Sequence, residues 1–116
     1  MAEPRERFPA SSRLRRTKDF QRASRVARKV ATDHFVLLLA PRRPGTIADS
    51  ARLGVTVSRR VGPAVTRNRV KRAIREWFRR THIQIDPQLD LVVIARPSAA
   101  RMLGREIARE LGEAFE

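Results

Sequence analysis

The sequence predicts a single small α+β domain, with its elements in the order helix, strand, strand, helix, strand, helix. Three observations support this prediction. The length of 116 residues fits one domain. Three apolar segments of strand length are bounded by turn residues, and three other segments have the periodicity of a helix. Helices and strands in these proportions favour a sheet with helices packed on one side.

The N-terminal part is predicted to contain an arm and the first helix. Residues 1–12 hold two prolines and few apolar side chains, so we expect a flexible basic arm. Residues 13–116 are then expected to form a single folded domain. Thr17 is a suitable N-cap for a short helix that ends at about Arg25.

Three segments are predicted to be strands. The first strand, His34–Ala40, is apolar on both faces, which indicates a well-covered position. The second strand is predicted at Leu53–Val57, where apolar residues alternate with small or polar ones. The short loop over Pro41–Ser50 favours a hairpin between these two strands. The third strand, Leu89–Ala95, follows an Asp-Pro turn.

Two further helices complete the predicted domain. Gly62-Pro63 places a proline at a first helical position, and the helix that follows should end at about Arg80. It connects the second and third strands as a crossover. The last helix is predicted to begin at Pro97-Ser98, with Ser98 as its N-cap. Its core stripe repeats every four residues and comprises Ala99, Leu103, Ile107, Leu111 and Phe115.

The charge of the chain points to a polyanionic partner. Its formal net charge is +14, divided as +7 over residues 1–29, +1 over 30–58, +8 over 59–80 and −2 over 81–116. Two concentrated basic blocks favour a nucleic acid, with an acidic membrane surface as the alternative. Cysteine is absent, which excludes disulfides and thiolate chemistry. The apolar runs are too short to span a bilayer and the N-terminus lacks a secretory h-region, so we expect a cytoplasmic protein without a membrane partner.

The helix predicted after Gly62 separates apolar from cationic residues. In a helical projection one side holds the buried stripe of Val70, Ile74, Trp77 and Phe78. The opposite side holds Asn68, Arg69, Lys71, Arg72, Arg75, Arg79 and Arg80, with Glu76 as its one acid. A merely solvated helix face usually interleaves acids and bases, because neighbouring like charges repel. This face therefore predicts an anionic ligand.

The same segment resembles a known family signature. Leu53-Gly54-Val55-Thr56-Val57-Ser58-Arg59-Arg60-Val61-Gly62-Pro63-Ala64-Val65 leads into Thr66-Arg67-Asn68-Arg69-Val70-Lys71-Arg72-Ala73-Ile74-Arg75-Glu76. In bacterial ribonuclease P protein components a strand ending Val-Ser-Lys-Lys is followed by Gly-x-Ala-Val and then by Arg-Asn-Arg-x-Lys-Arg-x-x-Arg-Glu. The resemblance covers nearly the whole chain. Further similar segments are Arg13-Leu14 with Asp19-Phe20, Phe35-Val36-Leu37, and Asp90 through Arg96.

The resemblance implies a fold and an activity. Members of this family are the small basic subunit of an RNA-based endonuclease, which removes the 5′ leader from precursor tRNA. The RNA subunit carries out cleavage with bound Mg²⁺, and the protein supports activity at physiological salt. The implied protein has no catalytic residues, no cofactor and no metal of its own. It is a monomer in a 1:1 complex with the RNA. The implied fold is that of ribosomal protein S5 domain 2, with a left-handed β-α-β crossover, whereas base rates alone favour a right-handed one.

The resemblance also assigns residues to two RNA surfaces. The surface for the RNA subunit comprises Arg59, Arg60, Arg67, Asn68, Arg69, Lys71, Arg72, Arg75 and Arg79. The cleft for the leader lies between the first helix and the sheet, and comprises Arg13, Phe20, Leu38 and Ile94. Phe20 is suited to stacking on a base, although it is also explained as a core residue. This chain has Ser24 and Leu38 where relatives often have aromatic residues, so its leader binding is expected to depend more on arginine and backbone contacts.

Other functions compete with this one. A ribosomal or general RNA-binding protein of the same layered fold remains an alternative, as does a DNA-binding module with the basic helix in a major groove. A protein-based nuclease would need clustered carboxylates or histidines, whereas Asp86, Asp90, His34 and His82 are separated by their predicted elements. Gly104 and Gly112 fall in a helix and not in a phosphate-binding loop.

Overall fold

The computed structural model describes residues 28–42, 45 and 50–115 of the chain. The predicted arm and the first helix at Thr17–Arg25 lie outside these residues. The strands are β1 (Arg28–Ala31), β2 (Phe35–Pro41), β3 (Arg52–Val57) and β4 (Leu89–Ala95). The helices are α1 (Ala64–Thr81) and α2 (Gly104–Glu113). Short 3₁₀ turns occupy Arg59–Val61, His82–Gln84 and Pro97–Arg101.

The strands form one mixed sheet in the order β1-β2-β4-β3. β2 pairs antiparallel with both β1 and β4, and Leu37 lies opposite Val30 on one side and Val93 on the other. β3 pairs parallel with β4, with Val55 opposite Val93. Parallel neighbours need a crossover connection. α1 provides it, so the predicted crossover between these two strands is confirmed.

Two features of the predicted sheet are wrong. The described residues form four strands and not three, because Arg28–Ala31 adds an edge strand before β2. This strand has four mostly exposed residues and gives no alternating apolar pattern. The predicted hairpin between β2 and β3 is also absent, since β4 lies between them. β4 is the most thoroughly buried strand, and a central position covers both of its faces.

Both described helices pack on one face of the sheet. Their side chains meet those of the strands in one core cluster that includes Phe35, Leu37, Leu53, Val57, Leu91, Val93, Val70, Ile74, Trp77, Phe78, Ile107 and Leu111. The opposite sheet face has a smaller cluster, in which Ala40 and Val92 are buried and Leu38 and Ile94 pack against them. The two faces therefore offer different surfaces for function.

The observed α1 agrees with its prediction, whereas the observed α2 differs from its prediction in part. α1 extends to Thr81 and buries Val70, Ile74, Trp77 and Phe78, as its periodicity predicts. The predicted start of the last helix at Ser98 is wrong, because Pro97–Arg101 forms a 3₁₀ turn and α2 begins at Gly104. The side chain of Glu106 accepts a hydrogen bond from the backbone N–H of Leu103, which caps the true start. Two members of the predicted core stripe are consequently exposed: Leu103 precedes α2, and Phe115 lies beyond its end.

None of the helices within the described residues combines the length and the apolar character that crossing a bilayer requires.

Candidate nucleic-acid interface

The turn between β3 and α1 positions the first pair of predicted site residues. The side chain of Ser58 accepts a hydrogen bond from the backbone N–H of Arg60 at 3.3 Å, which closes the 3₁₀ turn. Gly62 then has a φ of +153°, and a Cβ there would lie 3.3 Å from the side chain of Thr66. A larger residue at position 62 is therefore disfavoured by both conformation and space. This turn leaves Arg59 and Arg60 exposed beyond the end of β3.

Arg67 supports this turn from the first turn of α1. Its Nε donates a hydrogen bond to the carbonyl oxygen of Gly62 at 3.0 Å. Its backbone N–H donates to the carbonyl oxygen of Pro63, also at 3.0 Å. The guanidinium is half-buried. Arg67 therefore fixes the path of the chain that presents the two preceding arginines, in addition to its own positive charge.

Arg69 joins α1 to the segment before α2. Its guanidinium donates to the carbonyl oxygen of Met102 at 2.7 Å and to the carbonyl oxygen of Ala100. A planar guanidinium can donate to two acceptors at once, whereas a lysine ammonium is a point charge on a flexible stem. The structure thus places Arg69 on the predicted cationic face and gives it a structural contact as well.

The remaining cationic face is mostly free of partners within the described residues. The side chains of Arg59, Arg60, Asn68, Lys71 and Arg72 make no hydrogen bond or ion pair with any residue of the described part of the chain. Arg72 and Asn68 are exposed and Lys71 is half-buried. Arg75 is half-buried on the same face. Unpaired guanidiniums beside one another repel, so an anion that binds across them is favoured.

The last turn of α1 is partly neutralised. Glu76 accepts hydrogen bonds from Arg79 at 2.5 Å and from Arg80 at 3.1 Å. The hydrogen bond from Arg79 is the largest cause of the lowered pKa of Glu76, and together with the charges of Arg79 and Arg80 it outweighs the opposing effect of burial. Arg79 was predicted to bind RNA, and the structure places it on the cationic face with an acidic neighbour. The strongest uncompensated charge therefore lies nearer the N-terminal half of α1.

An apolar side chain interrupts the cationic face. Val65 lies in the first turn of α1 and is 81 % exposed. It does not belong to the buried stripe, and sequence reasoning could assign it no partner. Single exposed apolar residues are common on protein surfaces, so Val65 by itself indicates no ligand.

The predicted leader-binding residues are only partly within the described residues. Leu38 and Ile94 are half-buried on the sheet face opposite the helices, where they pack against the cluster of Ala40 and Val92. Val36 lies opposite Ile94 and Leu38 lies opposite Val92, so Leu38 and Ile94 are on neighbouring strands. Arg13 and Phe20 lie outside the described residues. The structure therefore brings together two of the four predicted residues.

The histidines and acids considered for catalysis have structural partners. His34 Nδ1 lies 2.7 Å from Glu110, and His82 Nδ1 lies 3.0 Å from the carbonyl oxygen of Arg79. Asp86 accepts a hydrogen bond from the backbone of its own turn. Asp90 is 2 % exposed and pairs with Arg52 through two hydrogen bonds of 2.8 Å. These groups therefore stabilise turns and strand ends.

Glu110 makes a larger network than the sequence indicated. It accepts hydrogen bonds from the side chain of Thr32, from the backbone N–H of His34 and from the His34 ring. Burial raises the pKa of Glu110, but these hydrogen bonds outweigh burial and the pKa is lowered overall. The network fastens α2 to the turn between β1 and β2. Residues 76 and 78 positions apart form it, so spacing along the chain gives no signal for it.

Comparisons with known proteins agree with the fold and the motif. The family model described as Ribonuclease P matches residues 8–116. The ribonuclease P protein component of Desulforapulum autotrophicum is 39% identical over 109 residues, which cover 94% of this chain and 90% of that protein. That of Syntrophobacter fumaroxidans is 41% identical over 106 residues, covering 90% of this chain and 86% of the relative.

Solved structures show the same similarity in three dimensions. A Staphylococcus aureus RNase P protein mutant with defective mRNA degradation activity matches with a TM-score of 0.81 and 35% identity, covering 90% of this chain and 86% of that one. The Thermotoga maritima RNase P protein, in complex with 1-(4-fluorophenyl)-2-thiourea, matches with a TM-score of 0.77 and 32% identity, covering 87% and 94%. Sequence, motif and fold agree, and the chain belongs to the ribonuclease P protein family.

Proposed function

We propose that this chain is the protein subunit of ribonuclease P and that the exposed face of α1 binds the RNA subunit. The observation that carries the proposal is the asymmetry of α1. One side of the helix is buried in the core, and the other presents Asn68, Lys71 and Arg72 without partners among the described residues. Binding of phosphates to such cations releases counterions from the RNA, which favours association.

The turn before α1 extends the same surface. Arg59 and Arg60 stand where relatives have a lysine pair, and both are exposed. A guanidinium can bind a phosphate through two parallel hydrogen bonds, so the exchange of lysine for arginine retains the charge and adds geometric specificity. Gly62 and Arg67 hold this turn in place. The proposed RNA-binding surface is therefore built on a rigid strand–turn–helix unit.

In this proposal the protein contributes charge and shape, and the RNA contributes chemistry. The RNA holds the Mg²⁺ ions used for cleavage, while the cations of α1 reduce the repulsion between closely packed RNA backbones. The protein has no catalytic residue and acts as one copy per RNA in the cytoplasm. We also propose the S5-like fold with a left-handed β3-α1-β4 crossover, as the family resemblance implies; the parallel pairing of β3 with β4 across α1 supports a crossover at this place.

The 5′ leader of precursor tRNA is proposed to bind the sheet face opposite the helices. Leu38 and Ile94 offer half-buried apolar surface there, beside the cluster of Ala40 and Val92. Phe20 and Arg13 are proposed to complete the site, with Phe20 stacking on a base of the leader. Base stacking on an aromatic side chain contributes roughly 1–3 kcal/mol per base. The two RNA ligands thus use different faces of one small domain.

A reconstituted cleavage assay tests the proposal as a whole. The protein is mixed with a bacterial ribonuclease P RNA and a precursor tRNA at a low Mg²⁺ concentration at which the RNA alone is nearly inactive. Accurate removal of the 5′ leader is the expected result. If the protein binds the RNA but cleavage stays at the RNA-only rate with several RNA subunits, the likeness is one of fold alone. Co-sedimentation with ribosomes would then support the ribosomal alternative.

Single substitutions test the assignment of α1. Arg72→Ala or Arg75→Ala is expected to lower the slope of log affinity against log salt by about one, because each removes one phosphate contact. Arg28→Ala removes the same charge from an exposed position on β1, at the edge of the sheet opposite β3, and serves as the control. Slopes that are unchanged for both α1 variants would remove the RNA-facing assignment of this helix.

A further substitution tests the leader site. Phe20→Ala is expected to raise the dissociation constant of the holoenzyme for leader-bearing precursor tRNA, and to leave the binding of mature tRNA unchanged. Phe115→Ala is a matched control, since this partly exposed ring packs against Trp77 on the helical side of the sheet. Equal losses for precursor and mature tRNA would show that Phe20 is structural.

A further inference from the structure

A second group of arginines lies beside α1 on and before α2. We refer to Arg101, Arg105 and Arg109 as the α2 arginine row. Arg101 ends the 3₁₀ turn before α2, and the other two lie one helical turn apart on α2 itself. All three are exposed. None of them makes a hydrogen bond or ion pair with any other residue in the described part of the chain.

The row is held next to the cationic face of α1. Arg69 donates to the carbonyl oxygens of Ala100 and Met102, the residues on either side of Arg101. The two helices also approach closely along small residues. A Cβ added at Gly104 would lie 3.9 Å from the Cβ of Ala73 on α1. The backbone that carries the row is therefore fixed against the helix proposed to bind RNA.

The acids of α2 form no ion pair with the row. At 100° per residue Arg105 and Arg109 share one side of α2, and Glu106 and Glu110 lie on the next side around the helix. Glu106 caps the start of α2, and Glu110 is held by Thr32 and His34. Glu113 is exposed, and no ion pair joins it to Arg109 within 4.0 Å. Arg101 and Arg109 line one surface cavity with Glu106, Glu110 and Glu113, but none of these carboxylates lies within 4.0 Å of a guanidinium of the row.

The charges of α2 complement the dipole of the helix at Glu106 and oppose it at two other positions. Arg105 lies in the first turn, where the helix end is partially positive, and Glu113 lies in the last turn, which has no basic residue. Cations are favoured near a helix C-terminus and acids near its N-terminus. Because folding does not favour a cation at position 105, a ligand is the better explanation for it.

We infer that the α2 arginine row binds phosphates of the ribonuclease P RNA and extends the α1 surface across the junction between the two helices. This inference rests on the proposed function. Phosphate is the ligand that exposed guanidiniums in a row fit, since each can donate two parallel hydrogen bonds to it. Continuity with the cationic face of α1 assigns the row to the RNA subunit rather than to the tRNA leader, which is proposed to bind the opposite sheet face.

The test compares two pairs of substitutions in the full chain. Arg105→Gln/Arg109→Gln removes two charges from the row, and Arg28→Gln/Lys29→Gln removes two charges from β1. Affinity for the RNA subunit is measured over a range of salt concentrations. The salt slope is expected to fall by about two for the α2 pair, which at 0.15 M salt corresponds to about thirtyfold weaker binding. The β1 pair should retain the wild-type slope.

A conservative pair separates charge from structure. Arg105→Lys/Arg109→Lys is expected to keep the wild-type slope, because both charges remain, and thermal unfolding should be similar for all variants. The inference is overturned if the glutamine pair keeps the wild-type slope, or if the β1 pair loses as much. It is also overturned if only the affinity for precursor tRNA falls. Failure of the wild-type protein to bind the RNA or stimulate cleavage would instead refute the proposed function itself.

Discussion

Two arginines on the cationic face of α1 should respond differently to the same substitution. Arg69 donates to two backbone carbonyl oxygens of the segment before α2, and Arg72 has no partner among the described residues. Arg69→Ala and Arg72→Ala each remove one positive charge from α1. The change in net charge is therefore the same, and a difference in stability measures the two hydrogen bonds.

The expected magnitude follows from the surroundings of the two hydrogen bonds. A hydrogen bond to a charged group contributes about 1.5–3 kcal/mol when it is buried. The bond to Met102 is partly buried and the bond to Ala100 is exposed, so the two together should contribute about 1–2 kcal/mol. For a chain of this size that lowers Tm by about 4–8 °C. Arg72→Ala should change the stability by less than about 0.5 kcal/mol.

Tryptophan fluorescence provides the assay. Trp77 is the one tryptophan of the sequence and is 5 % exposed, so unfolding transfers it from the core to water. Urea and thermal unfolding of the free protein should separate Arg69→Ala from both the wild type and Arg72→Ala. Arg69→Lys keeps the charge but loses the planar guanidinium that donates to two carbonyl oxygens at once, and should have an intermediate stability. Equal stability of the Ala variants would refute the structural role of Arg69.

Three further substitutions probe the rest of the fold. Asp90→Asn removes the buried carboxylate that pairs with Arg52 and Arg42 and should cost about 3–5 kcal/mol in urea unfolding, whereas an unchanged midpoint would contradict the pairing. Glu110→Gln should destabilise the protein by about 1–3 kcal/mol at neutral pH. Because the folded pKa of Glu110 is lowered, its stabilisation is complete above the ordinary value of 4.5 and is lost as the pH falls through the lowered value. The difference from wild type should therefore shrink in acid, and a constant difference down to pH 3 would contradict the role of the network with His34. Gly112→Ala should stabilise the protein by up to about 1 kcal/mol, because the added Cβ meets the α1 indole nitrogen at an ordinary contact distance of 3.9 Å. A lower Tm for this variant would show that the helices cannot accept the methyl group.

Local periodicity was sufficient to predict the elements with strong patterns. α1 has a buried stripe at helical spacing, and its observed end at Thr81 is one residue beyond the prediction. The apolar alternation of β3 and the apolar run of β4 were likewise enough to place both strands. The short, exposed β1 and the 3₁₀ turn before α2 have no comparable pattern, and both were missed.

Long-range contacts explain the remaining differences. The order of the strands depends on where β4 pairs, and β4 follows α1 in the sequence. The loop between β2 and β3 therefore contains no information about that pairing. The cationic residues were found because they repeat along α1, but the carbonyl partners of Arg69 come from a turn more than thirty residues later. The α2 arginine row gives no signal in the distribution of charge along the chain, because its segment has a net negative charge.

The central position of β4 has a consequence for how the protein is made. β4 pairs with both β2 and β3 and is the last of the four strands to be synthesised. The ribosome has therefore released most of the chain before the sheet can close. Contacts between distant parts of a sequence slow folding. During this interval α1 has been made, but the completed sheet against which its apolar stripe packs has not. A nascent chain of this protein therefore presents a basic, amphipathic segment to the RNA-rich surroundings of the ribosome before it presents a domain.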